Sequence, residues 1–231
     1  MRAGHQPPGT ARPPRFMVTE IYRSVSGEST RAGEICTLVR LTGCGLRCVW
    51  CDTAYAFTGG TPMALDAIIA RVRELGAGLV LVTGGEPLEQ DGVDELLRSL
   101  TGVASAVMVE TGGHVDIGRA RAATSVILDI KAPASGMMAR NRWENLDLLR
   151  PADEVKIVLA DRSDFDWACA VLSSRRSRGR ALVDVCPVLF SPAWGRLDAA
   201  VLAKWILAEH LPVRLNLQIH KILWPHATRG V

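Results

Sequence analysis

Apolar runs rich in Val, Ile and Leu recur along the chain, and longer stretches with helical periodicity separate them. The runs predict strands over Ile35–Leu41, Leu79–Thr83, Ala106–Glu110, Val126–Ile130, Val155–Leu159, Ala181–Val185 and Val213–Ile219. The amphipathic stretches predict helices over Ala64–Leu75, Gly92–Leu100, Asp164–Ser173 and Leu197–His210, with a shorter one near Asn145–Leu149. Short apolar strands alternating with helices give βα units, and hence an α/β fold with a largely parallel sheet covered by helices. Seven strands with few intervening helices suit an incomplete, TIM-like barrel better than a full eightfold one. No internal repeat, long linker or heptad seam interrupts the pattern, so residues 16–231 read as a single domain.

Polar residues collect where the strands end. The clusters are TGGEP at 83–87, ETGGH at 110–114, DIKAPASG at 129–136, LADR at 159–162, PVLFSP at 187–192 and QIHK at 218–221. In parallel α/β folds the carboxyl ends of the strands carry the functional residues, so these six predict one continuous pocket rim.

Composition narrows the class. The chain has 231 residues, 48% hydrophobic and 22% charged, enough to bury a core without disulfides or a structural metal. No apolar run approaches the ~20 residues that span a bilayer. With a net charge of +3 and basic residues scattered outside Arg175, Arg176, Arg178 and Arg180, strong electrostatic binding to nucleic acid is not implied. Residues 1–15, rich in Pro, Gly and Arg, lack the apolar core of a secretory signal and read as a disordered leader. The default compartment is then the cytoplasm, where the six cysteines stay reduced and serve as ligands or core residues.

Three of those cysteines form the sharpest motif. Cys44-Gly-Leu-Arg-Cys48-Val-Trp-Cys51 follows directly on a predicted strand. Three thiolates on one short loop can hold three corners of an iron–sulfur cube, leaving one iron open to a ligand. A zinc site would need a fourth ligand, which His114, His220 or His226 could supply.

The C-x3-C-x2-C spacing with Trp50 before the last cysteine resembles the signature of radical S-adenosylmethionine (SAM) enzymes, and TGGEP resembles their segment for the SAM amino group. The resemblance implies a 4Fe–4S cluster that cleaves SAM to methionine and a 5′-deoxyadenosyl radical. The flanks are closer still to the 7-carboxy-7-deazaguanine synthase family. They are Glu20-Ile-Tyr-Arg-Ser-Val-Ser-Gly-Glu28, Gly33, Val39-Arg-Leu-Thr-Gly-Cys44, Cys51-Asp-Thr53 and Gln218-Ile-His-Lys221-Ile-Leu-Trp-Pro, with Arg-Gly-Val at the terminus. This resemblance runs from about Phe16 to the last residue.

It implies ring contraction of 6-carboxy-5,6,7,8-tetrahydropterin with loss of ammonia, for 7-deazapurine (queuosine) biosynthesis. The implied cofactors are the cluster, SAM and Mg²⁺. Cys44, Cys48 and Cys51 would bind the cluster, and Thr53 would bind Mg²⁺. Trp50, Cys51, Asp52, Gly85, Asp129, Ile130 and Lys131 would line SAM. Val25, Ser26, Gly27, Glu28, Arg40, Thr83 and His220 would hold the pterin, with the extreme C-terminus closing over it. Arg40 suits a carboxylate and Glu28 suits N–H donors. A homodimer and a flavodoxin or ferredoxin as electron donor belong to the same implication.

Three departures stand out, one of them the terminal segment WPHATRGV. Ser26 replaces the family's usual Gln, and Ala132-Pro133-Ala134-Ser135 replaces a Pro-Ser-Ser after the lysine. Two other readings stay open at this stage: an activase that installs a glycyl radical on a partner enzyme, and a non-catalytic zinc module.

Overall fold

The computed structural model describes residues 14–76, 78–226 and 229–230. Its strands are β1 (Arg15–Val25), β2 (Ile35–Leu41), β3 (Thr61–Ala64), β4 (Leu79–Gly84), β5 (Ala106–Thr111), β6 (Ser125–Lys131), β7 (Glu154–Leu159), β8 (Arg176–Ser177), β9 (Arg180–Ala181), β10 (Val188–Pro192) and β11 (Arg214–Leu215). The α-helices are α1 (Leu65–Leu75), α2 (Val93–Thr101), α3 (Arg162–Ser174), α4 (Ala199–Ala208) and α5 (Ile219–Leu223). One nine-stranded sheet runs β11-β10-β7-β6-β5-β4-β2-β1-β3. From β2 to β11 every pairing is parallel, while β1 and β3 add an antiparallel edge. The sheet does not close on itself, as an incomplete barrel requires.

The two faces of the parallel strands carry different cores. Val39, Leu41, Val80, Val82, Val107, Val109, Leu128, Val155 and Ile157 point outward into the large core shared with the helices. The alternate residues point inward. Low in the barrel they are apolar: Cys36, Leu38, Leu79, Leu81, Ala106, Met108 and Ile127 form a second, smaller core. Higher up they turn polar, at Arg40, Thr83, Glu110, Asp129 and Lys156, and there the cavity begins.

Several boundaries differ from the sequence reading. The sixth parallel strand is β10, not Ala181–Val185, of which Leu182–Asp184 form a 3-10 turn. PVLFSP is therefore the strand itself. Pro187 lies just before its first residue, where its missing N–H breaks no ladder bond. In the predicted strand Val213–Ile219 only Arg214–Leu215 pair, and the chain then turns into α5. The short helix expected near Asn145–Leu149 is a 3-10 helix over Trp143–Leu148. Strands β1 and β3 were not foreseen: β1 mixes Thr19, Glu20, Arg23 and Ser24 among its apolar residues and shows no clean alternation. Of the expected leader, 1–13 lie outside the described residues and Arg15 already pairs in β1. No helix among the described residues is long and apolar enough to cross a membrane.

Candidate active site

A cavity of about 480 Å³ fills the upper barrel. Cys44, Cys48, Trp50, Cys51, Asp52, Thr53, Thr83, Gly85, Asp129, Ile130, Lys131, Val25, Gly27, Glu28, Arg40 and His220 all line it. Of the expected residues only Ser26 does not: it is buried, and its hydroxyl donates to the Glu28 carbonyl. Four of the six polar clusters reach the cavity. LADR does not, because Asp161 caps α3 by accepting from the Asp164 N–H, and PVLFSP is a strand.

The cysteine loop is pinned from several sides. Gly85 N–H donates to Leu41 O, Glu86 N–H to Gly43 O at 2.6 Å, and Gly45 N–H to Glu89 Oε1 at 2.9 Å. A Cβ on Gly85 would lie 1.9 Å from Gly43 O, so this contact admits only glycine. Glu86, the acid of TGGEP, points away from the cavity. Its buried carboxylate accepts from Leu88 N–H, Gly112 N–H and the Thr111 hydroxyl, joining two strand-end turns; burial pushes its pKa up. His114 lies 2.7 Å from Glu89 Oε1 and 3.7 Å from Glu86 Oε2, so this histidine serves the loop's support.

All three loop thiols are free and half-buried, and burial raises their pKa values, that of Cys44 to about 11. Such thiols become good ligands beside a compensating positive charge, which a metal cluster supplies. Cys36 belongs to the small inner core, and neither Cys169 nor Cys186 lines the cavity. The donor set therefore fits a cluster bound through three thiolates. SAM also finds a fitting wall: Gly84 and Gly85 allow close approach, and the buried Asp129 Oδ1 has no hydrogen-bond partner among the described residues.

The floor of the cavity comes from the opposite end of the barrel. Since β1 runs antiparallel to β2, the loop 26–34 leaves at the amino ends of the parallel strands. Glu154 at the start of β7 accepts from Thr30 N–H, and Asn216 Oδ1 accepts from Ser29 N–H, fastening the loop across the opening. Glu28 rises from it. Its Oε2 meets Lys156 Nζ at 2.6 Å, and its Oε1 accepts from Gln218 Nε2 at 2.6 Å. Gly27 lies directly under His220, where a Cβ would fall 2.0 Å from Nδ1. Burial lowers the His220 pKa.

Charges inside the cavity are paired. Burial works to lower Lys156, but Glu28, Asp129 and Glu110 outweigh it and raise the ammonium well above its ordinary range. Burial pushes Glu110 up, and Thr83 donates to it at 2.9 Å. Arg40 donates from Nε to Glu20 Oε1 at 2.7 Å and from Nη2 to the Tyr22 hydroxyl at 3.3 Å. At the rim, burial favours the neutral Asp52 carboxyl, but Lys221 Nζ at 2.8 Å outweighs it and holds the group well below the carboxylate range. Thr53 donates to Asp52 Oδ1 at 2.8 Å. Sequence reasoning missed Lys156, and it set Glu110 on the pocket rim, in ETGGH, without giving it a role. Each was legible as a charge on the inward register, Lys156 within the apolar run Val155–Leu159 and Glu110 at the end of Ala106–Glu110.

The chain is similar to known proteins in sequence and in fold. The profile of the radical SAM superfamily matches residues 38–159. The 7-carboxy-7-deazaguanine synthase of Chlorobaculum tepidum is 42% identical over 93% of this chain and 96% of its own. That of Koribacter versatilis is 40% identical over 94% of this chain and all of its own. In fold the chain is similar to QueE from Escherichia coli, with a TM-score of 0.64 at 18% identity, over 88% of this chain and 94% of the other. A three-thiol loop on a half-open parallel barrel, together with identity of this depth over nearly the whole length, places this chain in the radical SAM superfamily and, within it, among the 7-carboxy-7-deazaguanine synthases.

Proposed function

We propose that the chain converts 6-carboxy-5,6,7,8-tetrahydropterin into 7-carboxy-7-deazaguanine with loss of ammonia. One observation carries the reading: the cysteine loop, Glu28, Arg40 and His220 come from distant parts of the chain and line one cavity. Bound together, the cluster and SAM supply a carbon radical able to remove a substrate hydrogen. Cys44, Cys48 and Cys51 hold the cluster. Gly85, Asp129, Ile130, Lys131 and the Trp50–Asp52 segment receive SAM. The free acceptor on Asp129 suits a hydroxyl donor.

The pterin then lies over the floor. Arg40, oriented by Glu20 and Tyr22, takes its carboxylate as a charge-assisted pair. Glu28, an acceptor-only side chain, takes N–H donors, and His220 with Thr83 bounds the ring. Thr53, a hard oxygen donor beside Asp52, is the Mg²⁺ ligand. Ser26 supports this wall through its bond to the Glu28 carbonyl, where a longer side chain would have touched substrate. Ser135 donates to Ala132 O and so stiffens a turn that also receives the Val49 N–H on its own carbonyl. The chain's contribution is orientation and exclusion of water. A homodimeric, cytoplasmic enzyme reduced by flavodoxin or ferredoxin belongs to this proposal and rests on family membership.

The test is anaerobic. Protein reconstituted with iron and sulfide is reduced and supplied with SAM, Mg²⁺ and the pterin, and products are followed by mass spectrometry. We expect 7-carboxy-7-deazaguanine, with both product and bound iron lost in Cys48→Ala. SAM cleavage with the pterin untouched would discard the substrate and bring the activase reading forward. Stoichiometric zinc without acid-labile sulfide would favour a zinc module.

A further inference from the structure

Lys156 lies mid-strand in β7, between Val155 and Ile157, which belong to the outer core. Its own side chain turns inward and is buried at the cavity wall. A lysine buried this way needs anionic partners, because its ammonium has lost water. It has two: Glu28 Oε2 at 2.6 Å and Asp129 Oδ2 at 3.3 Å. Under the proposed function these face the pterin and SAM respectively. Asp129 Oδ2 also meets Lys131 Nζ at 3.2 Å, so Asp129 keeps a cation without Lys156. The loop carrying Glu28 likewise keeps its anchors at Glu154 and Asn216. What Lys156 alone supplies, with Gln218 on the other oxygen, is the aim of the Glu28 carboxylate.

We infer that Lys156 is a positioning residue for substrate recognition: it holds the Glu28 carboxylate so that its remaining lone pairs meet the amino and ring N–H donors of the pterin. The inference rests on the pterin reading of the site. It also assigns a purpose to a charge in a strand whose neighbours are apolar. Glu28 then discriminates by direction as well as by acceptor chemistry, since a carboxylate fixed from two sides cannot swing to serve a differently shaped ligand.

The test is a double-mutant cycle read by calorimetric binding of 7-carboxy-7-deazaguanine, which retains the same donor edge, to the full-length, anaerobically reconstituted protein. Lys156→Met and Glu28→Gln are each expected to weaken binding by about thirtyfold, the scale of one charge-assisted hydrogen bond. The double variant should bind no more than about threefold more weakly than Glu28→Gln alone, because Lys156 acts through Glu28. Asp161→Ala, which uncaps α3 away from the cavity, should change affinity by less than about threefold and show no coupling. Should Lys156→Met fail to fold, Lys156→Gln takes its place, with a loss of about tenfold that again vanishes beside Glu28→Gln.

Unchanged binding in the folded lysine variant would overturn the inference, as would losses that multiply in the double variant. Wild-type protein that binds SAM but not the deazaguanine would overturn the substrate reading beneath it. The two failures are therefore distinguishable.

Discussion

On the same four strands, β4 to β7, the outward and inward rows have been put to opposite uses. Outward, Val82, Val109, Leu128 and Ile157 are buried aliphatics locked against helices. Inward and one position away, Thr83, Glu110, Asp129 and Lys156 are polar, mutually paired and open to a cavity. The outer row is dry and contributes stability through area removed from water, roughly 25 cal/mol per Å². The inner row contributes little of that kind. Replacing paired charges there by aliphatics of similar volume is often neutral or stabilising, so their presence points to ligands. A two-residue period lets one strand serve both purposes, because neighbouring side chains never share a face.

The largest test of that division falls where the two rows end, at the cysteine loop. Gly85→Ala puts a methyl 1.9 Å from Gly43 O, so the loop must move. We expect iron loading below half of wild type and turnover reduced by at least about a hundredfold, the scale of an ångström's misplacement. Normal iron content with normal turnover would show that the loop tolerates displacement. Next comes the outer row. Leu128→Ala should cost about 2–5 kcal/mol of unfolding free energy by denaturant titration, while KM for the pterin stays unchanged wherever the variant is folded.

The smallest effect concerns a cap on the outer layer. Asp161 accepts from the Asp164 N–H and the Ser163 hydroxyl, and these bonds hold its carboxyl below the ordinary range. Asp161→Ala should cost about 1 kcal/mol near neutrality. A lowered folded pKa gives stability that is present above the unfolded value, near ~4, and lost as pH falls through the folded one. The gap between wild type and variant should therefore close in acid. A gap that persists at low pH would mean that the bonds to the carboxylate are not its source.

How much of this was legible in the sequence follows the same two rows. Strands β2, β4, β5, β6 and β7 were readable because their outer rows make apolar runs, and the cysteine loop because its spacing is specific. Strand β10 was obscured by the decoy run Ala181–Val185, of similar length and composition, and by prolines 187 and 192 at its ends. The floor was illegible for another reason. It depends on β1 running antiparallel, which carries Glu28 to the foot of the barrel and up against β7, a contact spanning 128 positions. Nothing local records such a meeting. Lys156 did leave a trace, as the single charge inside Val155–Leu159, yet its partners appear only in three dimensions.

One paired measurement tests the division most directly: Leu128→Ala and Asp129→Asn, adjacent in sequence and opposite in direction, each followed by denaturant unfolding and by calorimetric titration with SAM on the reconstituted protein. We predict that Leu128→Ala loses about 2–5 kcal/mol of stability with SAM affinity intact. Asp129→Asn should weaken SAM about tenfold. Equal losses of stability in both variants, with SAM binding unaffected by Asp129→Asn, would contradict the account and return the inner row to a structural role.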